Sequence, residues 1–204
     1  MWALVTDNTI TKLLNNPRGM VIGDTQYSRN IFSLWSKSER EAKGIYEIVW
    51  NDAKKKDEEY YTNTNQTFTY DADAGTVTAT YGDATAKAHA DTLFTAQDES
   101  DGKGTEGEVA TRGVKYHKII NIKQQAATEL ARTDWYIVRN ADAGTAIPSA
   151  ITNHRAAVRT KCAQMETAIT NASNTAAIQT LYTYTTDGDG VTSRPLGELP
   201  TLEV

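Results

Sequence analysis

Apolar and polar positions change rhythm twice along the chain. From Trp2 to Leu14 the run "WALVTDNTITKLL" holds two β-prone stretches either side of Asp7-Asn8, residue types that tolerate the positive φ of a tight turn. This predicts a hairpin. Between 60 and 82 the alternation returns in "QTFTY" and "TVTATY", joined across the glycine-containing loop 71–75. Threonine on alternate positions makes that second hairpin half exposed. From about residue 111 the period lengthens: Val114, Ile119, Ile122, Ala126 and Leu130 recur at helical steps, which predicts an amphipathic helix over 112–132. A further helix is expected from Pro148, a residue suited to a first helical position. Its inward series Ile151, Arg155, Val158, Cys162, Met165, Ile169 steps by 4, 3, 4, 3, 4. That seam fits an αα-hairpin with 112–132, or a self-associating coiled coil.

Smaller signals fill the gaps. Ser36 and Glu39 have the spacing of a capping box, and Gly44 stands where a helix ends, so 37–43 reads as a two-turn helix. Ile31, Phe32, Leu34 and Trp35 are expected to anchor that helix to the first hairpin, and Ile45–Trp50 resumes as a strand. A short helix is expected within 84–96. The stretch "QDESDGKGTEGE" (97–108) has no apolar residue and reads as a mobile linker. A helix spans 174–182, and the proline-containing end leaves as an extended tail. The expected class is α+β: a β-rich domain over 1–96, a linker over 97–110, a helical hairpin over 111–184 and a tail over 185–204.

Between the two long helices lies "TDWYIVR" (133–139). Thr133 or Asp134 suits a helix terminus, and the β-branched, aromatic run after it predicts an extended segment. Trp135 is then expected to plug the open end of the hairpin, where a buried indole contributes a few kcal/mol.

Composition narrows the chemistry. Of 204 residues only 39% are apolar and the net charge is −5, which suits modest cores. The basic run Lys54–Lys56 is followed at once by Asp57, Glu58 and Glu59, so it is a solvated face and nucleic acid is not an expected partner. No apolar stretch is long enough to span a membrane and the first residues lack a signal peptide's pattern, so synthesis in a cytoplasm without membrane attachment is expected. The lone Cys162 cannot form an intrachain disulfide and sits in the helix seam, where an inert thiol is expected. His89, His117 and His154 have no paired spacing for zinc. "DADAG" and "DGDG" read as turns, since twelve residues from Asp71 end on Gly82 where a calcium loop needs Glu. "DGKGTEG" lacks a phosphate-loop spacing. No Asp or Glu pair marks out a glycosidase site. Tyr60, Tyr61 and Tyr81 suggest either a sugar-stacking surface or cross-strand packing. No cofactor, no metal and no enzymatic activity are expected.

The run "LARTDWYIVRNADAGTAIPSAITNHRAAVR" (130–159) resembles the C-terminal region of the tail assembly chaperones, or tail-fibre assembly proteins, of tailed bacteriophages. The shared pattern is a helix ending in T-D-W, a loop, a proline, then an aromatic-Arg-x-x-φ-Arg helix. It falls here on Thr133, Asp134, Trp135, Pro148, Arg155, Val158 and Arg159; His154 replaces the usual Tyr. The stretch 22–48 also looks like the start of proteins from phage tail gene clusters. The resemblance implies a non-enzymatic tail protein of the virion that binds other tail proteins at baseplate or fibre and occurs as a homo-oligomer or in symmetric copies. Within that class a permanent part competes with a transient assembly chaperone; a host-surface glycan-binding module is a third reading. The residues expected to carry contacts or structure are Trp35, Trp135, Tyr136, Arg155, Val158, Arg159 and Met165.

Overall fold

The computed structural model describes residues 1–202. The chain is α+β, with strands concentrated at the start and helices at the end. It divides into two units, Met1–Thr85 and Ala86–Val204.

The first unit is built on a five-stranded sheet. Strands β1 (Trp2–Thr6) and β2 (Thr9–Leu14) form the expected N-terminal hairpin, with Asp7 and Asn8 at φ 49° and 58° in its turn. A small hairpin follows, β3 (Met20–Ile22) with β4 (Thr25–Tyr27). A 3-10 turn over Arg29–Phe32 then leads to helix α1 (Lys37–Glu41). Ser36 and Glu39 make the expected capping box, with Glu39 accepting the Ser36 N–H at 2.7 Å. Gly44, at φ +73°, turns the chain into β5 (Ile45–Asn51) beside Val5, whose N–H bonds its carbonyl at 2.8 Å. Short β6 (Tyr61–Thr62) precedes the second expected hairpin, β7 (Thr67–Asp71) with β8 (Thr76–Thr80). The sheet order is β2-β1-β5-β8-β7, antiparallel except for the parallel pair β5–β8. Nothing in the local pattern announced that parallel pair.

β1 has apolar side chains on both faces because both are covered. Ala3 and Val5 join Ile48, Val77 and Ala79 in one core; Trp2 and Leu4 lean on a second, made by Leu14, Met20, Ile31 and Ile45. The segment before α1 is held to the sheet by Ile31 in the second core and by Phe32 against Trp2 of the first hairpin, whereas Trp35 packs edge-on against Tyr27 of the β3–β4 hairpin. Leu34 joins neither and stands exposed.

Strand β9 (Thr85–Ala86) falls at the division between the units, and the second unit continues with β10 (Thr92–Leu93), helix α2 (Ala96–Ser100) and β11 (Val109–Thr111). The expected helix within 84–96 is absent: loop and two short strands occupy that stretch, and α2 begins only at Ala96. The expected linker is also corrected, because 97–108 is folded. Thr95 and Asp98 cap α2 reciprocally, Lys103 bridges Asp98 and Asp101 at 3.2 and 3.0 Å, and β10 pairs with β11 around the insertion. Caps and ion pairs organise this polar element, and the ring of Phe94 lies against Gly104. The boundary between units falls at residue 85 instead of in the acidic stretch.

Helices α3 (Val114–Ala131), α4 (Asp134–Ala143), α5 (Ser149–Asn171) and α6 (Thr175–Tyr182) complete the unit. α3 and α5 pack together through Ile122 and Ala126 on one side and Ile151, Val158, Met165 and Ile169 on the other, as the seam predicted for an αα-hairpin. Pro148 stands immediately before α5 instead of in its first turn. The end of the chain is not a free extended tail. β12 (Thr185–Thr186) pairs with β13 (Thr192–Ser193), Leu196 is buried, and its N–H bonds the Leu181 carbonyl at 3.0 Å. Arg194 lies over Tyr182 and Tyr184 at 5.3 Å from each ring.

Candidate functional site

The joint between α3 and α4 is where the structure departs furthest from expectation. α3 ends at Ala131 with Arg132 as its cap; Thr133, at φ −117° and ψ 6°, stands at the N-cap position of the next helix, and Asp134 opens a ten-residue helix instead of terminating one or starting an extended run. α4 closes at Gly144 in the left-handed conformation (φ 66°), whose N–H reaches the Asn140 carbonyl at 2.9 Å. Trp135 therefore plugs nothing: it is 62% exposed, and no residue of α4 is fully buried.

What closes the joint is Arg155. Arg155, on α5, is 8% exposed and places Nη1 at 2.7 Å from the Leu130 carbonyl, 2.7 Å from Thr133 Oγ1 and 2.8 Å from Asp134 Oδ1. The buried Thr133 hydroxyl donates in turn to the Leu130 carbonyl at 2.9 Å. The geometry follows from helix electrostatics. Leu130 presents its carbonyl at the negative end of α3, where it already accepts the Arg132 and Thr133 N–H groups and where a cation is stabilising; Asp134 sits in the first turn of α4, where an anion is stabilising. One arginine serves both ends. The T-D of the T-D-W pattern and its downstream arginine are thus brought into contact, while the tryptophan between them points outward.

The other expected residues separate into three kinds. Val158 and Met165 are core, at 0% and 1% exposure. Tyr136 is half-buried, and Arg159 is exposed on α5. Trp35 belongs to the first unit's aromatic group.

One cluster escaped the sequence reading. Glu129 accepts from Arg132 Nη1 at 3.0 Å and from the Leu202 N–H at 3.4 Å, and the buried His154 places Nε2 at 3.3 Å from the same carboxyl. The Arg132 bond, with help from Leu202 and His154, holds the Glu129 carboxyl below the usual carboxylate range against the opposing effect of burial. His154 is therefore a residue of the α3–α5 packing, in place of the aromatic that the pattern calls for. The only advance signal was its position one residue before Arg155.

The candidate chemistries resolve as structure. Asp71 Oδ1 accepts the N–H groups of Asp73 and Ala74, and Asp187 Oδ1 those of Asp189 and Val191, so both acidic loops are turns. Among the described residues no three His, Cys, Asp or Glu side chains gather as metal ligands would. Tyr60 and Tyr61 are buried; Tyr81 faces Trp50, with ring centroids 6.4 Å apart. Burial pushes the Cys162 thiol up from its ordinary value, away from nucleophilic use. No described helix is long and apolar enough to cross a membrane.

Comparison with models of known families, with curated proteins and with solved structures returns no match.

What remains as a candidate site is a surface. Trp135 and Val138, 62% and 60% exposed, lie three residues apart on one side of α4, with Ile137 beside them. Asn140 Nδ2 secures the far end of the helix by bonding the Thr145 carbonyl at 2.8 Å. A short helix is marginal in water without an apolar face to bury. This one is held at its base by a buried arginine while its apolar face is presented outward, an arrangement suited to binding a macromolecule.

Proposed function

We propose that the chain is a non-enzymatic tail protein of a tailed bacteriophage, an adaptor or structural component of the baseplate or fibre region that works through protein–protein contacts. The observation that carries this reading is the α4 face. The residues through which the sequence resembles tail assembly proteins, Thr133, Asp134, Trp135 and Arg155, are the ones that brace α4 and supply its outward indole. An indole exposed on a braced helix is an anchor of the type that dominates protein interfaces. Partners are other tail proteins and further copies of this chain, with no part for nucleic acid, cofactor or metal.

Peptide mass spectrometry on purified particles of the source tests this. Recovery at a stoichiometry comparable with other tail proteins supports a resident component. Recovery from infected-cell lysate but not from particles makes the chain an assembly chaperone. Absence from both at the time tail proteins accumulate overturns the tail reading.

A further inference from the structure

The exposed helix has a matching receptacle on the same unit. Between α3 and α5 runs a groove of about 290 Å³, floored by Ala126, Ala127, Leu130, Cys162 and Ala163. The Lys123–Glu166 ion pair (2.7 Å) closes one end, and Arg159 stands on its rim. Small side chains keep the groove open, so it is an apolar slot without a knob. α4 is the converse, an apolar knob without a slot.

We infer that the two belong together in a dimer of this chain, with Trp135 and Val138 of each copy seated in the α3–α5 groove of the other. Three observations argue for a second copy as the occupant. The first is area. Trp135, Ile137 and Val138 together expose roughly 300 Å² per copy. Two α4 faces laid only against each other would bury about twice that, short of the roughly 1,200 Å² at which specific interfaces begin. Seating each face in a groove about doubles the buried area and reaches that size. The second is charge. Arg159 on the groove rim has no carboxylate partner among the described residues, and Asp142, two turns along α4 from Trp135, has no cation. A knob entering the groove can bring Asp142 to Arg159. The third is placement. The groove ends at Leu130 and the knob begins at Trp135, so slot and knob flank one joint. A single twofold axis beside that joint satisfies both insertions at once and leaves no unpaired copy of either surface. The inference stands on the second unit alone and holds whatever assembly the chain serves.

The experiment is sedimentation equilibrium on the full chain and on two variants, with helicity followed by circular dichroism. Trp135→Ala combined with Val138→Asp removes the knob; Ala163→Glu blocks the slot. All three positions are exposed, so helicity is expected to stay as in the wild type. The wild-type chain is expected to dimerise, and each variant alone to dissociate with affinity lowered on the order of a thousandfold, as for loss of central anchors at two equivalent sites. An equimolar mixture should recover a weaker dimer with one copy of each variant, because one intact knob then meets one intact slot. A wild-type chain that stays monomeric at the highest concentrations measured overturns the inference. So does a dimer that survives either variant; survival of Ala163→Glu alone would mean that α4 pairs with α4 outside the groove. None of these results bears on whether the chain is found in tail particles, so failure here is distinct from failure of the tail reading.

Discussion

Arg155→Ala is the substitution that most directly tests how the helical unit is held. The Arg155 side chain is 9% exposed, whereas its partner Asp134 is 57% exposed, so the ion pair itself is screened and contributes little. The larger loss lies with the Leu130 carbonyl and the Thr133 hydroxyl, which would forfeit a charge-assisted partner inside the packed joint. Hydrogen bonds to a charged group contribute about 1.5–3 kcal/mol each, and a single Nη1 shared among three acceptors cannot supply three full bonds. Adding the buried aliphatic stem, a net loss of about 3 kcal/mol is expected. For a unit of this size that lowers Tm by roughly 10–15 °C. Urea and thermal unfolding, followed by helical circular dichroism, measure it. Asp134→Asn should lose less than about 1 kcal/mol, since it removes only the screened part. Arg155→Lys should recover only part of the loss, because an ammonium is more strongly hydrated than a guanidinium and loses more on entering the packed joint. If Arg155→Ala stays within 1 kcal/mol of the wild type, the arginine does not brace the joint and the account of α4 fails.

Other consequences follow from particular contacts. At concentrations where the chain is monomeric, Trp135→Ala should change unfolding free energy by no more than about 0.5 kcal/mol, as expected for a position exposed within its own chain; a melting loss there like that of Arg155→Ala would mean the indole is buried within the chain. Gly44→Ala should destabilise the first unit by at least about 2 kcal/mol, because the residue sits at φ +73° and a Cβ there would lie 2.2 Å from the Val5 carbonyl oxygen. Asp98 should titrate near pH 2 in carboxyl NMR, since the Thr95 N–H and hydroxyl and Lys103 hold its carboxyl down to about 2. Its folded pKa lies below the unfolded value of 3.8, so its contribution to α2 is full above the unfolded value and disappears as pH falls through about 2. An ordinary Asp98 titration would show the α2 cap to be open in solution. Glu129, also depressed, follows the same sign. The Leu202 amide should gain hydrogen-exchange protection as pH rises through the carboxylate range after correction for intrinsic rates, and flat protection would mean that Glu129 does not hold the chain's end.

How far the sequence reached depended on the range of the interactions involved. The β1–β2 turn, the Ser36–Glu39 box, the β7–β8 hairpin and the α5 seam were legible because each depends on residues a few positions apart. Stretch 97–108 was misread because the absence of apolar residues was taken for the absence of structure; caps, ion pairs and the β10–β11 ladder organise it instead. α4 was misread because the β-branched pair Ile137 and Val138 outweighed the Asp134 start and the Gly144 stop. That propensity is worth only tenths of a kcal/mol per residue, less than one well-placed cap.

The sequence by itself therefore determined the class, the long helices, the hairpins and the positions of the seam, since periodicity and capping are written locally. It also placed Thr133, Asp134, Trp135 and Arg155 together as a group. Only the tertiary structure decided what each member does. Arg155 lies 25 residues from Leu130, and the α3–α5 packing that brings them to 2.7 Å turns a seam position into the brace of the joint. With that charge satisfying both helix ends, the joint needs no aromatic plug, and Trp135 is left on the surface. The parallel β5–β8 pair and the burial of Leu196 likewise depend on segments distant in sequence, which no local pattern encodes.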